Sequence, residues 1–370
     1  MGAIFINAVS SKIGGGKNIL DNYLEELSRK KLTHNYFVLT PSHSEYCHFD
    51  SDKIKILDAH WFFKMNVFFP FLYYWFLPRL LKREKIEAIF NLGDIIIPTK
   101  IPQIYFLDWA YVVYSDDFLW NKMGVKDLLT RKVKVHLIKK YIGAIKKVFV
   151  QTKTMEIRLN EKLGVKNSIV IPTPIGLEFN DEVIEGSFKL NKDKKNLLFP
   201  ASFSSHKNFD IIIPVAKRLE KEYPEFNIVI TLSATDAEAY LEDIKLSGVN
   251  NIMNVGKVDR TLMPSLYEQC DALFFPTLLE SYGLPYIEAK FYKKPIITSD
   301  FDFSREMCGE NSFYFDTFSV DSIIETINSA FQDQNILEEK CKLAFEDVLR
   351  IPTWEFVVVR FQEELEHIIK

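Results

Sequence analysis

Short apolar runs alternate with helical patterns along nearly the whole chain, and this alternation limits the possible folds more than any other feature. In the first half, Ala3–Ala8, Tyr36–Thr40, Ile54–Leu57, Ala88–Asn91, Gln103–Leu107, Val148–Gln151 and Ile169–Ile171 read as strands, with helices over Asn18–Lys30 and Lys126–Ala144. In the second half, strands Asn196–Pro200, Asn227–Leu232, Ile252–Val255, Ala272–Phe275 and Pro295–Thr298 alternate with helices Asn208–Glu222, Ala237–Leu246, Leu262–Cys270 and Leu284–Tyr292. A strand that is apolar throughout is covered on both faces, and its parallel neighbour is reached only through a crossover. Two such series imply an α/β chain of two Rossmann-like, doubly wound domains, which 370 residues can supply. The boundary is expected between Pro172 and Asn196, where breakers and charges replace any sustained period. That gives a first domain over 1–175 and a second over 176–352, followed by a long amphipathic helix at Thr353–Ile369.

Charge and cysteine usage exclude several classes. The net charge of −4 hides +9 over residues 1–180 (26 basic, 17 acidic) and −13 over 181–370 (20 basic, 33 acidic). This asymmetry suggests that the two halves meet different partners, or simply attract one another. The positive charge is neither dense nor joined to a binding motif, so no nucleic-acid partner is expected. Cys47, Cys270, Cys308 and Cys341 form no CxxC, and no His/Cys cluster has ligand spacing, so neither a disulfide framework nor a metal site is expected. No signal peptide is read at the start, and a cytoplasmic location is expected. The most apolar stretch, Trp61–Lys85, is interrupted by Lys64, Asn66, Pro70 and Pro78 before 18 clean residues accumulate. A buried helical hairpin or an interfacial patch fits it better than a membrane span. Its tryptophans and tyrosines beside Arg79, Lys82, Arg83 and Lys85 suit a membrane surface, as does the basic helix that follows at 126–147.

The residues that carry chemistry follow strand Ala272–Phe275. There Thr277-Leu-Leu-Glu280-Ser281-Tyr282-Gly283-Leu284-Pro-Tyr-Ile-Glu288 opens a helix, at the strand end where open α/β sheets bind ligands. The backbone N–H groups of Ser281, Tyr282, Gly283 and Leu284 would face a phosphate at the helix N-terminus, and Gly283 allows close approach. Glu280 precedes the helix and Glu288 lies more than one turn inside it, so the two carboxylates reach different parts of one extended ligand. A capping acid with a solvated helical glutamate is the plainer alternative.

This E-x7-E pattern in a strand–loop–helix context resembles the retaining nucleotide-sugar glycosyltransferases of family 4. The resemblance covers nearly the whole chain and is strongest over residues 196–310. It implies the GT-B fold, two Rossmann-like domains facing across a cleft, with the C-terminal helix returning to the first. It gives Glu280 the hydroxyls of the donor sugar and Glu288 the nucleotide ribose. The stretch Phe199-Pro-Ala-Ser202-Phe-Ser-Ser-His206-Lys207-Asn208 resembles the family's diphosphate-binding segment, with Lys207 in the place of its lysine. A cation there would stabilise the leaving phosphate, and His206 beside it is a donor contact or a helix cap. Gly256-Lys257-Val258 resembles the turn that faces the nucleotide base, and Gly14-Gly15-Gly16 the glycine loop near donor phosphates and acceptor. The triplet is not a Walker loop, because Lys17 is followed by Asn18 and the glycine spacing is wrong. Candidate catalytic residues are thus Lys207 and Glu280. The candidate donor set adds Gly15, Gly16, Ser202, His206, Val258, Ser281, Tyr282, Gly283, Leu284 and Glu288, and Asn18 and Asp108 are candidates on the acceptor side.

The chain departs from the family at four places. Ser202 stands where the family usually has Arg, Leu107-Asp108 where many members have His-Asp, Thr231-Leu-Ser233 where a glycine turn is frequent, and Ser281 where Gly often follows the glutamate. Asp300-Phe-Asp302 is formally a DxD but follows a strand after the E-x7-E helix and reads as a loop, and there is no G-x-S-x-G. The resemblance implies a metal-independent hexosyl transfer from a nucleotide-diphosphate sugar to a glycan, lipid-linked as in O-antigen or lipopolysaccharide synthesis, or soluble. No cofactor is expected, and contact with the inner face of the cytoplasmic membrane would run through the basic, aromatic first domain. A nucleotide-sugar epimerase of the same fold and a non-catalytic partner subunit remain open alternatives.

Overall fold

A computed structural model describes residues 2–12, 14–58, 68–176 and 188–369. The chain divides into two compact units. The first comprises residues 1–115, 124–174 and 352–370, the second residues 116–123 and 175–351. Of the apolar stretch Trp61–Lys85, residues 61–67 lie outside the described residues, as do residues 177–187 of the expected boundary.

In the first unit, seven strands pair in parallel: β1 (Ala3–Asn7), β2 (Asn35–Thr40), β3 (Ile54–Asp58), β4 (Ile86–Asn91), β5 (Gln103–Phe106), β6 (Lys147–Val150) and β7 (Ser168–Val170), in the order β3-β2-β1-β4-β5-β6-β7. β5 is buried at every position, and after Gln103, whose side-chain amide donates to the Ile97 carbonyl, Ile104-Tyr105-Phe106 run without the alternation of a one-sided strand. Helix Trp354–Ile369, last in the sequence, belongs to this unit. Its Phe361 sits among Tyr23, Phe90, Phe106 and Phe149 with ring centroids 4.8–6.2 Å away. Gln362 accepts from the Tyr36 hydroxyl and donates to that of Tyr23, each at 2.5 Å. Beyond the undescribed residues, the chain is helical over 69–83 and widens to a π-helical turn at Leu72–Phe76. One face of it, including Leu72, Tyr73, Leu77 and Leu80, is buried against β1 and β4 residues.

The second unit contains a six-stranded parallel sheet: β8 (Lys195–Phe199), β9 (Phe226–Ile230), β10 (Ile252–Asn254), β11 (Ala272–Phe275), β12 (Ile296–Ser299) and β13 (Phe313–Phe315), ordered β10-β9-β8-β11-β12-β13. In each sheet the order reverses beside its first strand, at β1/β4 and at β8/β11. Loops leaving two adjacent strands at such a point diverge, and a crevice opens at the strands' carboxyl ends. The helix expected from Asn208 begins only at Ile212, after short 3-10 turns at Ser205–Lys207 and Phe209–Ile211. Asn208 between them has φ +56°, a left-handed conformation that asparagine tolerates and most residues do not. Lys207 therefore lies before the left-handed residue and outside the helix's first turn.

Candidate active site

The second unit's reversal point gathers the two segments singled out in the sequence. The loop after β8 carries His206 and Lys207, and the loop after β11 carries Thr277 and Glu280. Main-chain bonds tie them together: the Leu278 N–H donates to the His206 carbonyl at 2.7 Å, and the Thr277 hydroxyl lies 3.2 Å from the same oxygen. The His206 backbone thus holds the loops in register. Its Nδ1 lies 3.3 Å from the Ser204 hydroxyl.

Across this junction the Lys207 ammonium meets Glu280 Oε1 at 2.5 Å, with both side chains only 13% and 12% exposed. Thr277 Oγ1 also lies 2.8 Å from Glu280 Oε1. The ammonium further sits 4.7 Å from the centroid of Phe275, against the ring's negative face. A cation and a carboxylate are thereby fixed in one partly dehydrated place, with both bonds on Oε1 and Oε2 left to accept from another group.

Downstream, Gly283 caps the helix Leu284–Phe291 at φ +79°. A Cβ at Gly283 would lie 2.6 Å from a ring carbon of Tyr286, so both conformation and space require glycine. Tyr282 is buried, while Ser281 and Leu284 are half-buried. Glu288, about 6 Å further along the helix axis than Leu284, is 7% exposed. The Tyr267 hydroxyl donates to its Oε2 at 2.9 Å. Val258 is half-buried in the turn after β10. That turn is shaped by Asn254, whose Oδ1 accepts from the Leu232 and Gly256 N–H groups at 2.9 and 3.2 Å. Ser202 is exposed, and among the described residues its side chain joins none of these bonds. Asp300 of the DxD is held by Arg305 through two bonds of 2.6 and 2.7 Å, and Asp302 opens helix Asp302–Cys308.

In the first unit the remaining candidates gather where helix Gly14–Ser28 starts beside the end of β5. A Cβ at Gly16 would lie 3.3 Å from Asp108 Oδ2 and 3.7 Å from Ser11 Oγ. Asn18 accepts from Asn22 Nδ2 at 2.8 Å through its Oδ1, whereas its Nδ2 and the Ser11 hydroxyl are buried without a partner among the described residues. Burial raises the Asp108 carboxyl to about 6; Asp94 adds to the rise and Lys134 opposes it. Lys134 pairs with Asp94 at 2.6 Å and lies 4.1 Å from the ring centroid of Trp109. Gly15 stands in the first turn of the same helix, with open space where a side chain would be. Among the described residues no group of three or more His, Cys, Asp or Glu is placed to hold a metal ion.

Thr277 and Tyr267 act on Glu280 and Glu288, and sequence reasoning passed over both. Thr277 stands in the motif three residues before Glu280, which is a usable signal, whereas Tyr267 lies 21 residues from Glu288 and carries none.

The model of the glycosyl transferases group 1 family matches residues 180–344, which include both loops. An uncharacterized glycosyltransferase of Haemophilus influenzae is 24% identical over 233 residues, 60% of this chain and 63% of that protein. The O-antigen chain mannosyltransferase RfbU of Salmonella typhimurium is 26% identical over 137 residues, 36% of this chain and 38% of its own. The chain thus spans less than two thirds of the length of either relative. Anabaena HepE, solved in complex with UDP and glucose, superposes with a TM-score of 0.71 at 14% identity, covering 99% of this chain and 100% of that one. The fold is that of the GT-B glycosyltransferases, and the match to the glycosyl transferases group 1 family extends over residues 180–344.

Proposed function

We propose that this chain is a glycosyltransferase of the surface-polysaccharide type. In this reading it takes a hexose from a nucleotide-diphosphate sugar held by the second unit and passes it, with retention and without a metal ion, to a glycan acceptor. The observation that carries the reading is the meeting of Lys207 and Glu280 at the reversal point of a parallel sheet, inside the matched domain. Departure of a nucleoside diphosphate builds negative charge on the leaving oxygen. A fixed ammonium and the helix N-terminus at Ser281–Leu284 offset that charge with little reorganisation, so no metal is needed. Glu280 accepts from sugar hydroxyls through the oxygen that Thr277 and Lys207 leave open, and Glu288, oriented by Tyr267, accepts from the ribose. No protein nucleophile is required if the departing phosphate takes the acceptor's proton on the same face. The protein then contributes orientation and charge stabilisation.

The O-antigen chain mannosyltransferase RfbU, and HepE with its UDP and glucose, support a nucleotide-sugar donor and a cell-surface glycan product. A lipid-linked acceptor is supported by the first unit's surface. Phe68, Phe71, Tyr74 and Trp75 are 39–46% exposed there, Arg79 lies over Trp75, and the Tyr74 hydroxyl meets that of Tyr141 at 2.9 Å. Tyr141 ends helix Val125–Tyr141, which exposes Val125, Leu129 and Val133 among six basic residues and one acidic one. Such a surface suits anionic lipid. Among the described residues no helix is long and apolar enough to cross a membrane.

A thermal-shift panel of UDP, GDP, dTDP and CDP, each with and without a magnesium chelator, tests the donor site. A selective shift that survives chelation is the expected result. No shift with any nucleotide would favour a non-catalytic subunit, and conversion of the sugar nucleotide without acceptor would favour an epimerase. For the membrane surface, sedimentation with anionic liposomes at low salt is expected, and its absence would count against a lipid-linked acceptor.

A further inference from the structure

Eight residues from between β5 and β6, 116–123, belong to the second unit although the chain on both sides of them belongs to the first. Their anchors are specific. Phe118 stacks on Phe301 (5.8 Å, 16°) and meets Phe318 edge-on (5.3 Å, 76°). Leu119 is buried. The Lys122 ammonium donates to Asn208 Oδ1 at 2.6 Å and to Asp210 Oδ2 at 3.1 Å.

Asn208 is the left-handed residue immediately after Lys207, and it is 3% exposed. Its Nδ2 donates to the carbonyl and hydroxyl of Thr317 at 3.3 and 3.2 Å, and the Thr317 hydroxyl donates to the Pro276 carbonyl at 3.1 Å. One amide is therefore bonded on both sides, by Lys122 at its oxygen and by Thr317 at its nitrogen. Through Thr317 the set reaches Pro276, beside Thr277. A non-glycine residue in the left-handed region persists only where its surroundings hold it there, and the direction of Lys207 depends on that turn.

We infer that Lys122 is a positioning residue for the donor site: it locks the Asn208 turn and so aims the Lys207 ammonium at the diphosphate. This deepens the donor reading above and rests on it. Asp210 is the lesser partner, because its carboxylate is 78% exposed and exposed pairs contribute little.

The test uses the full chain and the variants Lys122→Met, Lys122→Arg and Asp210→Asn. Hydrogen exchange without ligand reads the turn directly. Lys122→Met is expected to speed exchange at residues 204–209 and 276–280 while the protection of β9 and β12 is unchanged. Affinity for UDP, GDP, dTDP and CDP, measured by calorimetry, is expected to fall about three- to tenfold in Lys122→Met, to recover in Lys122→Arg, and to stay near normal in Asp210→Asn. Asn208→Gly keeps the backbone conformation but removes the amide, so in that background Lys122→Met is expected to add nothing. Unchanged exchange, or full additivity with Asn208→Gly, would overturn the inference. A wild-type chain that binds none of the four nucleotides would overturn the donor reading instead, and the exchange result would still decide what Lys122 does.

Discussion

A carboxylate that receives an ammonium and a hydroxyl on the same oxygen is held in one orientation, and Glu280 is held so by Lys207 and Thr277. Removing either charge leaves its partner in a poorly solvated place and, in the proposed reaction, takes away a group that meets the donor. Glu280→Ala and Lys207→Ala are therefore each expected to lower turnover about tenfold or more, and near-normal turnover in either would remove that residue from the mechanism. Tyr267→Phe is expected to weaken nucleotide affinity by about three- to tenfold, read by calorimetry, because Glu288 loses the hydroxyl that orients it. Asp108 makes a prediction of a different kind. Burial raises its carboxyl from the ordinary value of 3.8 to about 6. The folded chain therefore binds this proton more tightly than the unfolded one, so the group favours folding at low pH. That contribution is fully present below about pH 4 and is lost as pH rises through about 6, for a total near 3 kcal/mol. Asp108→Asn is expected to raise the melting temperature relative to wild type at pH 8, with the gain shrinking toward pH 4. A gain independent of pH would mean the carboxyl titrates normally. Glu280, Glu288 and Lys207 were legible in the sequence because their spacing within a strand–loop–helix segment is local information. Lys122 and Tyr267 were not, since each acts on a residue brought near by the fold, 86 and 21 positions away.

Among the elements, those most readable were the strands buried on both faces. β9, β11 and β12 lack alternation and could hardly be anything else, given their length and β-branched or aromatic content. Helix starts were less readable. The apolar period of Ile212–Glu222 extends backward into Phe209, and the left-handed Asn208 separates the turn at Ser205–Lys207 from the helical turns that follow. A left-handed asparagine leaves no mark on hydrophobic periodicity. Strand β13 and helices Val320–Ala330 and Gln334–Val348 went unassigned. Segment Asp117–Asn121 is one helical turn whose place is set by the rings that receive Phe118, which is tertiary information. Gly283 shows the opposite case, an element boundary that one residue type dictates. Gly283→Ala must adopt φ +79° with a Cβ on Tyr286, and it is expected to cost about 1–3 kcal/mol. Chemical denaturation reads that loss. A near-neutral result would show that the helix can begin elsewhere.

At the scale of the molecule, the chain leaves and re-enters its first unit twice, at 116–123 and again between 175 and 351. The first unit is complete only when the last helix has been made. Helix Trp354–Ile369 buries Trp354, Val357, Val358, Phe361 and Leu365, and Phe361 touches rings from helix Gly14–Ser28 and from strands β4, β5 and β6. Those contacts join the two ends of the sequence, so the amphipathic period at 353–369 announced a helix without saying what it covers. A small domain core that loses a central ring does not close over the space, and Phe361→Ala is expected to cost about 3–5 kcal/mol. The loss belongs to one unit. Hydrogen exchange should accelerate in β1, β4, β5 and β6 while β8, β9, β11 and β12 keep their protection, because the second unit's sheet contains no residue of this helix. Equal acceleration in both sheets would mean that the units unfold as one cooperative body. Unchanged exchange in the first sheet would mean that the helix is an attachment and not part of the core. The same variant separates stability from ligand binding: with the second sheet intact, affinity for a nucleoside diphosphate should stay near the wild-type value, since Lys207, Glu280 and Glu288 all lie in the second unit.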